Sequence, residues 1–194
     1  MDVSIVKYNA GNVQSLMFAL NRLGIEPNLT DDPEELQKSD KVIFPGQGEA
    51  SSAMHYLKDN QLDLVLRQLK QPFLGICLGM HLMCKRSEEN NTACLGILDI
   101  TVKAFNTPLK VPHMGWDNIF DNHGKLMEGV DEKSYLYFMH SYYVEVCDHT
   151  VSKCNYGMEF STAIKKDNFY AIQAHPEKSA KNGLTILSNF LNQS

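Results

Sequence analysis

Cys77 is the residue whose neighbours best fit it to act as a nucleophile. It stands between two glycines in the stretch Gly75-Ile76-Cys77-Leu78-Gly79, after an apolar run rich in strand formers and before a helix-like pattern. Gly-x-Cys-x-Gly at a strand-to-helix turn is typical of a nucleophile elbow, where a strained turn lifts the side chain clear of the sheet. The alternative is a cysteine that only packs, because free cysteine is among the most buried residue types.

His175 and Glu177 supply the partners that such a nucleophile needs. They occur in Ile172-Gln173-Ala174-His175-Pro176-Glu177, where a strand-like run ends in a histidine with a carboxylate two residues on. A cysteine nucleophile requires a base for its proton, and the base requires a group that fixes its tautomer. The alternative is a surface loop, since chance neighbours are common in a chain with seven histidines.

A glycine-flanked turn, Pro45-Gly46-Gln47-Gly48, follows another predicted strand. Backbone of this kind can aim an N–H at a developing oxyanion, together with the N–H of Leu78, the residue after the nucleophile. Pro-Gly-x-Gly is also an ordinary turn, so the pattern by itself is weak.

Composition narrows the class of protein. The chain has 194 residues, 43% of them hydrophobic, which favours one domain spanning residues 1–194 with a sizeable core. Its apolar runs are too short for a membrane span, and its five scattered cysteines fit a reducing compartment, so we expect a cytoplasmic protein without a membrane partner. The net charge of −5 and the absence of a basic block argue against nucleic acid as a partner.

No metal or cofactor is expected. Cys77, His81 and Cys84 recur at helical spacing, but on an ideal helix the two sulfurs are separated by a rise of about 10 Å, too far to share one ion. Phosphate-loop and dinucleotide-binding fingerprints are absent from the sequence.

Strand and helix patterns alternate in the first half. The predicted elements are strands at 3–8, 27–30, 41–44 and before Cys77, and helices at 13–23, after Asp32, at 49–59, at 62–69 and from Cys77 to about Lys85. This alternation predicts an α/β fold: a single-domain, open, mostly parallel sheet flanked by helices, flavodoxin-like. Gly11, the Pro45-to-Gly48 turn and Cys77 would lie at the carboxyl ends of its strands, where ligands bind.

The second half changes character. Closely spaced strand patterns predict an added antiparallel portion, and an amphipathic pattern predicts a final helix; the segments are 98–105, 135–138, 142–146, 160–165, 169–174 and, for the helix, 182–192.

With Gly75-Ile76-Cys77-Leu78-Gly79 followed by His175-Pro176-Glu177, the chain resembles the class I, triad-type glutamine amidotransferases almost from end to end. Further motifs resemble one branch of that family, the glutaminase subunits of imidazole glycerol phosphate synthase. These are Tyr8-Asn9-Ala10-Gly11-Asn12 with Ser15, Phe44-Pro45-Gly46-Gln47-Gly48, Lys110-Val111-Pro112-His113-Met114-Gly115-Trp116, Tyr137-Phe138-Met139-His140-Ser141-Tyr142-Tyr143 and His175-Pro176-Glu177-Lys178-Ser179.

The resemblance implies a reaction. Cys77 would attack the side-chain amide of L-glutamine, release ammonia through a glutamyl thioester and be regenerated by water. His175 would move the protons and Glu177 would orient it. The backbone near Gln47 and Leu78 would bind the oxyanion. The glutamine pocket would be lined by Gly48, His81, His140, Ser141 and Tyr142.

The resemblance also implies a partner. Ammonia would pass to a separate (β/α)8-barrel cyclase/synthase subunit in a heterodimer, which forms imidazole glycerol phosphate and aminoimidazole carboxamide ribotide in histidine biosynthesis. Asn12, Trp116 and Lys178 would lie at that interface or along the ammonia route.

Two residues depart from the family pattern. His81 stands where glutamine is usual, one helical turn after the nucleophile; it could still bind substrate, and it could also titrate near neutrality. Asp117 stands where asparagine more often follows the tryptophan, with no consequence evident from the sequence.

Three other functions remain open at this stage. A paralogous glutaminase could feed a different ammonia acceptor, a stand-alone cysteine hydrolase could use the same elbow, and a degenerate binding module could lack activity. The filled triad positions disfavour the last of these.

Overall fold

A computed structural model describes residues 1–9 and 13–193 of the chain. Asn12 and Gly11, both named above, therefore lie outside the described residues. The chain order of the elements alternates strand with helix in the first half and is dominated by strands in the second.

The strands are β1 Val3–Val6, β2 Asn28–Thr30, β3 Lys41–Phe44, β4 Phe73–Ile76, β5 Cys84–Ser87, β6 Thr92–Ala93, β7 Leu98–Ala104, β8 His113–Phe120, β9 Tyr135–His140, β10 Tyr142–Tyr143, β11 Thr150–Asn155, β12 Glu159–Lys166 and β13 Phe169–Ile172. The α-helices are α1 Gln14–Arg22, α2 Pro33–Lys38, α3 Ala50–Asp59, α4 Leu62–Gln68, α5 Leu78–Met83 and α6 Ala180–Leu191.

Two sheets organise these strands. The larger is nine-stranded, in the order β2-β1-β3-β4-β13-β12-β11-β8-β9, and the smaller is β10-β7-β5-β6. Pairing is parallel from β2 to β13 and antiparallel from β13 to β9. The predicted parallel first half and the antiparallel addition are both confirmed, with two differences. Strand β13, predicted within the addition, pairs parallel with β4, and β7 and β10 lie in the smaller sheet.

Alternate residues of the central strands face two separate apolar clusters, as the two-residue period of a strand requires. Ile5, Ile43 and Leu74 pack in one cluster with α1 and α6, through side chains such as Leu20 and Phe190. The neighbouring residues Val6, Val42 and Phe73 pack in the other, which includes side chains of α2 to α5. Helices therefore cover both faces of the parallel part of the sheet.

The start of α2 shows how local sequence fixes an element. Asp32 accepts hydrogen bonds from the N–H groups of Glu34 and Glu35, at 2.8 and 3.2 Å, and Pro33 occupies the first turn. A carboxylate that accepts from the free N–H groups of a first turn is a strong helix start. The helix predicted after Asp32 is confirmed.

Several boundaries predicted for helices and strands were wrong. The helix after Cys77 ends at Met83 instead of near Lys85, because Cys84–Ser87 forms β5 and pairs with β6 and β7. The strand at Tyr142 covers two residues instead of five. Strands β6, β8 and β11 had no counterpart in the prediction, since their polar residues hide the apolar alternation.

Within residues 1–9 and 13–193, no helix is long and apolar enough to cross a lipid bilayer.

Candidate active site

Cys77 occupies the sharp turn between β4 and α5. Its backbone has φ 51° and ψ −107°, a region that non-glycine residues rarely adopt. Its N–H donates to the carbonyl of Ile172 on the adjacent strand β13, at 2.7 Å. Such strain at a single side chain on a strand-to-helix turn is the geometry of a nucleophile elbow, and the predicted turn is confirmed.

The glycines around Cys77 are required by close packing. A Cβ on Gly79 would collide with the carbonyl oxygen of Phe44, at the end of β3. A Cβ on Gly75 would collide with the sulfur of Met83. Helix α5 can therefore cross over β3 and β4 at this distance only if both positions lack a side chain.

His175 lies between Cys77 and Glu177. Its Nδ1 is 2.8 Å from Oε1 of Glu177, and Nε2, on the other side of the ring, is buried without a hydrogen-bond partner among the described residues. Burial lowers the pKa of His175, but the neighbouring Cys77 sulfur and the Glu177 carboxylate outweigh it and raise the pKa to about 10. The imidazole is thus oriented by a carboxylate and ready to hold a proton beside a thiol.

The backbone of His175 is fixed by neighbouring strands. Its N–H donates to the carbonyl of Tyr137 on β9 at 2.9 Å, and its carbonyl accepts from the hydroxyl of Ser179 at 2.6 Å. The Ser179 hydroxyl oxygen in turn accepts from the N–H of Tyr137, at 2.9 Å. This closed loop ties the histidine to the sheet edge and limits its movement away from Cys77.

A cavity of about 260 Å³ opens over Cys77 and His175. Every pocket residue predicted from the sequence contributes to its wall, namely Gln47, Gly48, Leu78, His81, His140, Ser141 and Tyr142. Glu177 does not line this cavity and lies behind His175. The structure therefore brings the predicted residues together around the sulfur.

Gln173 is a site residue that the sequence reasoning passed over. Its side chain is fully buried, with Oε1 2.7 Å from Nε2 of His81 and Nε2 3.7 Å from Sγ of Cys77. Burial lowers the pKa of His81 to about 4, only partly offset by the bond to Gln173. His81 is therefore neutral at neutral pH, and the idea that it titrates there was wrong.

Glu89 also lines the cavity and was not singled out from the sequence. One of its oxygens, Oε2, accepts from the N–H of Ala50 at 2.8 Å, which fixes the carboxylate at the start of α3. Burial raises the pKa of this carboxyl group. A carboxylate in a pocket wall can pair with an ammonium group, such as the one that every free amino acid carries. No sequence signal distinguishes Glu89 from its neighbour Glu88.

The Pro45-to-Gly48 turn lies against the elbow. The hydroxyl of Tyr8 donates to the carbonyl of Pro45 and holds the turn from below. A Cβ on Gly46 would come within 2.5 Å of the backbone nitrogen of Gly79, and Gly48 has φ 139°, a region open mainly to glycine. This turn can therefore pack directly on the start of α5, where the N–H of Leu78 is located.

Comparison with known proteins gives this geometry a family. The model of the family described as glutamine amidotransferase class-I matches residues 5–194. This chain belongs to that glutamine amidotransferase family. The relatives include proteins named imidazole glycerol phosphate synthase subunit HisH from Bacteroides thetaiotaomicron, 53% identical, and from Bacteroides fragilis, 50% identical. Each alignment covers 98% of this chain and 99% of the relative.

A solved structure described as a glutamine amidotransferase shares the fold, with a TM-score of 0.77. It is 18% identical in sequence, and the alignment covers 98% of this chain and 97% of that one. At this identity the likeness concerns the fold alone.

Two of the predicted interface residues, Trp116 and Lys178, lie against Tyr137 of β9, two residues along the strand from Met139 in the cavity wall. Trp116 is 52% exposed on β8, where it pairs with Tyr137 of β9. The Nζ of Lys178 lies 5.9 Å from the ring centroid of Tyr137. Asn12 cannot be placed, because it lies outside the described residues.

Asp117, the second departure from the family pattern, lies next to His113. Its Oδ2 is 3.3 Å from Nε2 of His113, a histidine that is nearly fully buried. The residues described in the structure include no group of three or more His, Cys, Asp or Glu side chains arranged to hold a metal ion.

Proposed function

We propose that this chain is the glutaminase subunit of an imidazole glycerol phosphate synthase and acts in histidine biosynthesis. The observation that carries the proposal is the strained Cys77 elbow beside His175, whose other ring nitrogen is 2.8 Å from Glu177. Identities of 53% and 50% to proteins named as HisH subunits, over nearly the full length of the chain, support the role in this synthase. The whole chain, residues 1–194, would form one glutaminase domain.

The reaction divides among the three residues. The proton of the Cys77–His175 pair is already on His175, whose pKa is raised to about 10, and the sulfur of Cys77 attacks the side-chain amide carbon of L-glutamine. His175 then returns the proton to the departing nitrogen, so that ammonia leaves and a glutamyl thioester remains. Water, deprotonated by His175, attacks the thioester and releases glutamate. Glu177 keeps the imidazole oriented and stabilises its cationic form.

The cavity wall provides the remaining contacts. The N–H of Leu78 and the backbone near Gln47 and Gly48 stabilise the oxyanion of the tetrahedral intermediates. His140, Ser141 and Tyr142 form the opposite wall and bind the amino-acid part of glutamine. The Glu89 carboxylate pairs with the ammonium group, while His81 lines the wall nearest to Cys77.

An exposed apolar patch beside the cavity is our candidate for the partner surface. It consists of Met114 and Trp116 on β8 and Tyr135 on β9, each more than half exposed. Exposed clusters of large apolar side chains mark interaction sites, and tryptophan is a frequent anchor in them. We assign this patch and Lys178 to a (β/α)8-barrel synthase subunit in a cytoplasmic heterodimer.

The position of the patch fits the transfer of ammonia. Strand β9 carries Tyr135 outward and also brings the carbonyl of Met139 within 3.8 Å of Cys77 Sγ. A partner seated on β8 and β9 would thus lie one strand away from the Cys77 sulfur, next to which ammonia leaves the amide carbon. Direct passage keeps uncharged ammonia from being protonated in bulk water.

Reconstitution with the synthase subunit tests the proposal. Glutamate release is measured for the chain alone, with the synthase subunit, and with the subunit plus its nucleotide ligand. We expect the rate to rise strongly in the last case, with matching formation of imidazole glycerol phosphate. Glutaminase activity without that product would point to another ammonia acceptor. Peptide hydrolysis without a partner would favour a stand-alone hydrolase.

A further inference from the structure

Two buried histidines connect Asp117 to the wall of the pocket. His113 on β8 and His140 on β9 are 3% and 5% exposed, and their rings meet with Nδ1 of His113 3.1 Å from Nε2 of His140. Nδ1 of His140 lies 2.7 Å from the carbonyl oxygen of Tyr142. At the other end, Nε2 of His113 lies 3.3 Å from Oδ2 of Asp117. Four groups therefore make three polar contacts in series.

The hydrogens of this series can be counted from the Tyr142 end. A carbonyl oxygen only accepts, so Nδ1 of His140 must carry a hydrogen, and its Nε2 is then an acceptor if the ring is neutral. Nδ1 of His113 must donate to that acceptor. A neutral His113 therefore presents a bare lone pair at Nε2 to the Asp117 carboxylate. Three contacts need three hydrogens, and two neutral imidazoles supply only two.

A backbone hydrogen bond keeps the Asp117 carboxylate from turning away from Nε2 of His113. Its other oxygen, Oδ1, accepts from the N–H of Asn118 at 2.8 Å, so Oδ2 is the oxygen that faces His113. The His113 ring cannot turn freely, because it stacks on Phe138 at 4.8 Å and on Tyr156 at 4.0 Å, centroid to centroid. Both ends of the contact are held in place.

The other titratable groups around the series do not supply the missing hydrogen. His140 faces His81 and His175 as well as His113; burial first, and these neighbours next, hold its pKa well below 6.5, so it stays neutral. Burial raises the pKa of the Cys154 thiol beside Asp117, which keeps that group protonated. Burial lowers the pKa of His113 below its ordinary value, although Asp117 opposes that shift. The additional proton therefore binds His113, beside the Asp117 carboxylate, on the acid side of neutrality.

We propose that His113 takes up a second proton against the Asp117 carboxylate, and that this proton completes a positioning relay through His140 to the Tyr142 carbonyl at the glutamine pocket. Asp117 and His113 touch neither the substrate nor Cys77, so both are positioning residues. The relay rests on the proposed function only in taking glutamine as the occupant of the pocket.

An asparagine at position 117 would need no added proton. Its amide oxygen would accept from the N–H of Asn118, and its amide nitrogen would donate to Nε2 of neutral His113. Asp117→Asn therefore supplies the third hydrogen and uncouples the relay from pH. In the native chain, the proton leaves as pH rises through the pKa of His113. The contact with Asp117 then becomes repulsive, and the Tyr142 segment loosens.

Histidine ring ¹⁵N NMR tests the relay directly, without substrate or partner. The rings of His113 and His140 are assigned through their contacts with Phe138 and Tyr156, and spectra are recorded across the acid-to-neutral range. We expect native His113 to change from the doubly protonated to the neutral form as pH rises, with His140 in the neutral Nδ1–H form on the acid side. In Asp117→Asn, His113 should be neutral with Nδ1–H throughout.

The same two proteins, bound to the synthase subunit, are then assayed for the KM for glutamine. We expect the native KM to rise about fivefold as pH increases through the transition seen by NMR, with little change in kcat. A fivefold change corresponds to the free energy of about one net hydrogen bond. Asp117→Asn should show no such rise. Asp99→Asn, which removes an exposed carboxylate paired with Lys85, controls for the lost charge.

An Nε2–H tautomer of His113 in Asp117→Asn, or identical titrations of the native and Asp117→Asn proteins, would overturn the relay. A confirmed tautomer series without any glutaminase activity would instead count against the proposed function. If the KM for glutamine depends on pH in the same way in the native and Asp117→Asn proteins, the relay does not affect glutamine binding in the pocket.

Discussion

His81 Nε2 and Gln173 Oε1 lie 2.7 Å apart beneath the candidate nucleophile. His81 is neutral, because burial lowers its pKa to about 4, so its Nε2–H donates to the amide oxygen of Gln173. The amide nitrogen of Gln173 must then point to the sulfur of Cys77, 3.7 Å away. His81 thus acts on the nucleophile through the orientation of a second side chain.

Replacement of His81 by glutamine should preserve glutaminase activity. A glutamine amide can also donate to Gln173 Oε1, so kcat/KM for His81→Gln should stay within about fivefold of native, the range of one net hydrogen bond. The pH–rate profile near neutrality should not change. His81→Leu cannot donate and should lose about tenfold or more, since it leaves a buried amide oxygen unpaired. A loss in His81→Gln as deep as that in Cys77→Ala would make His81 a primary catalytic residue.

Glu177→Gln should lower kcat by about a hundredfold or more, because His175 loses its orienting carboxylate. It should also change how stability depends on pH. The folded pKa of His175 is about 10, above the unfolded value of about 6.5, so its proton stabilises the fold fully below pH about 6.5 and less as pH rises toward 10. In Glu177→Gln, the stabilisation of the fold by the His175 proton should be lost at a lower pH than in the native protein.

Urea unfolding across that alkaline range measures the effect, with an exposed carboxylate variant, Glu34→Gln, as the control for charge. Parallel stability profiles for the native and Glu177→Gln proteins would show that Glu177 does not hold the proton on His175.

Trp116→Ala should weaken binding of the synthase subunit without unfolding the chain, since the indole is 52% exposed. Interface tryptophans often contribute about 2 kcal/mol or more, so the Kd should rise about thirtyfold. Leu64→Ala is the matched control, because Leu64 is 55% exposed on helix α4 and lies outside the patch. Calorimetric titration compares them; equal affinities for both variants would place the interface elsewhere.

Gly79→Ala should damage both folding and activity. The added Cβ meets the carbonyl oxygen of Phe44, and such overpacking costs about 1–3 kcal/mol. Displacement of α5 also moves Cys77, which should reduce glutaminase activity about a hundredfold. Gly24→Ala is the control for activity: its Cβ would meet no atom within 4 Å, so it should cost only the strain of alanine at φ 78° and leave the glutaminase rate unchanged. A Gly79→Ala protein with native stability and rate would show that α5 need not approach β3 so closely.

The sequence predicted the parallel half of the fold because its strands and helices carry clear apolar periods and strong boundary signals, such as Asp32 before Pro33. Strands β6, β8 and β11 were missed for the opposite reason. In β8, for example, only His113 and Ile119 are buried, so the apolar alternation that identifies a strand is not visible.

Pocket residues that belong to a sequence motif were predicted. Residues whose role depends on a contact with a side chain distant in the sequence were missed. Gln173 stands beside His175 in the sequence, yet its importance depends on His81, 92 residues away. The place of His113 depends likewise on His140 and Asp117, and only the register of β8 against β9 brings the two rings together. Such relations are three-dimensional and leave no local pattern.

We expect Cys77 to carry the glutamyl group during turnover. The most direct measurement is mass spectrometry of the complex with the synthase subunit and its nucleotide ligand, quenched by acid during turnover of glutamine. We expect a glutamyl adduct on the peptide that contains Cys77. Both this adduct and glutamate release should be absent in Cys77→Ala. Sustained glutamate release by Cys77→Ala, or an adduct on another cysteine, would contradict it.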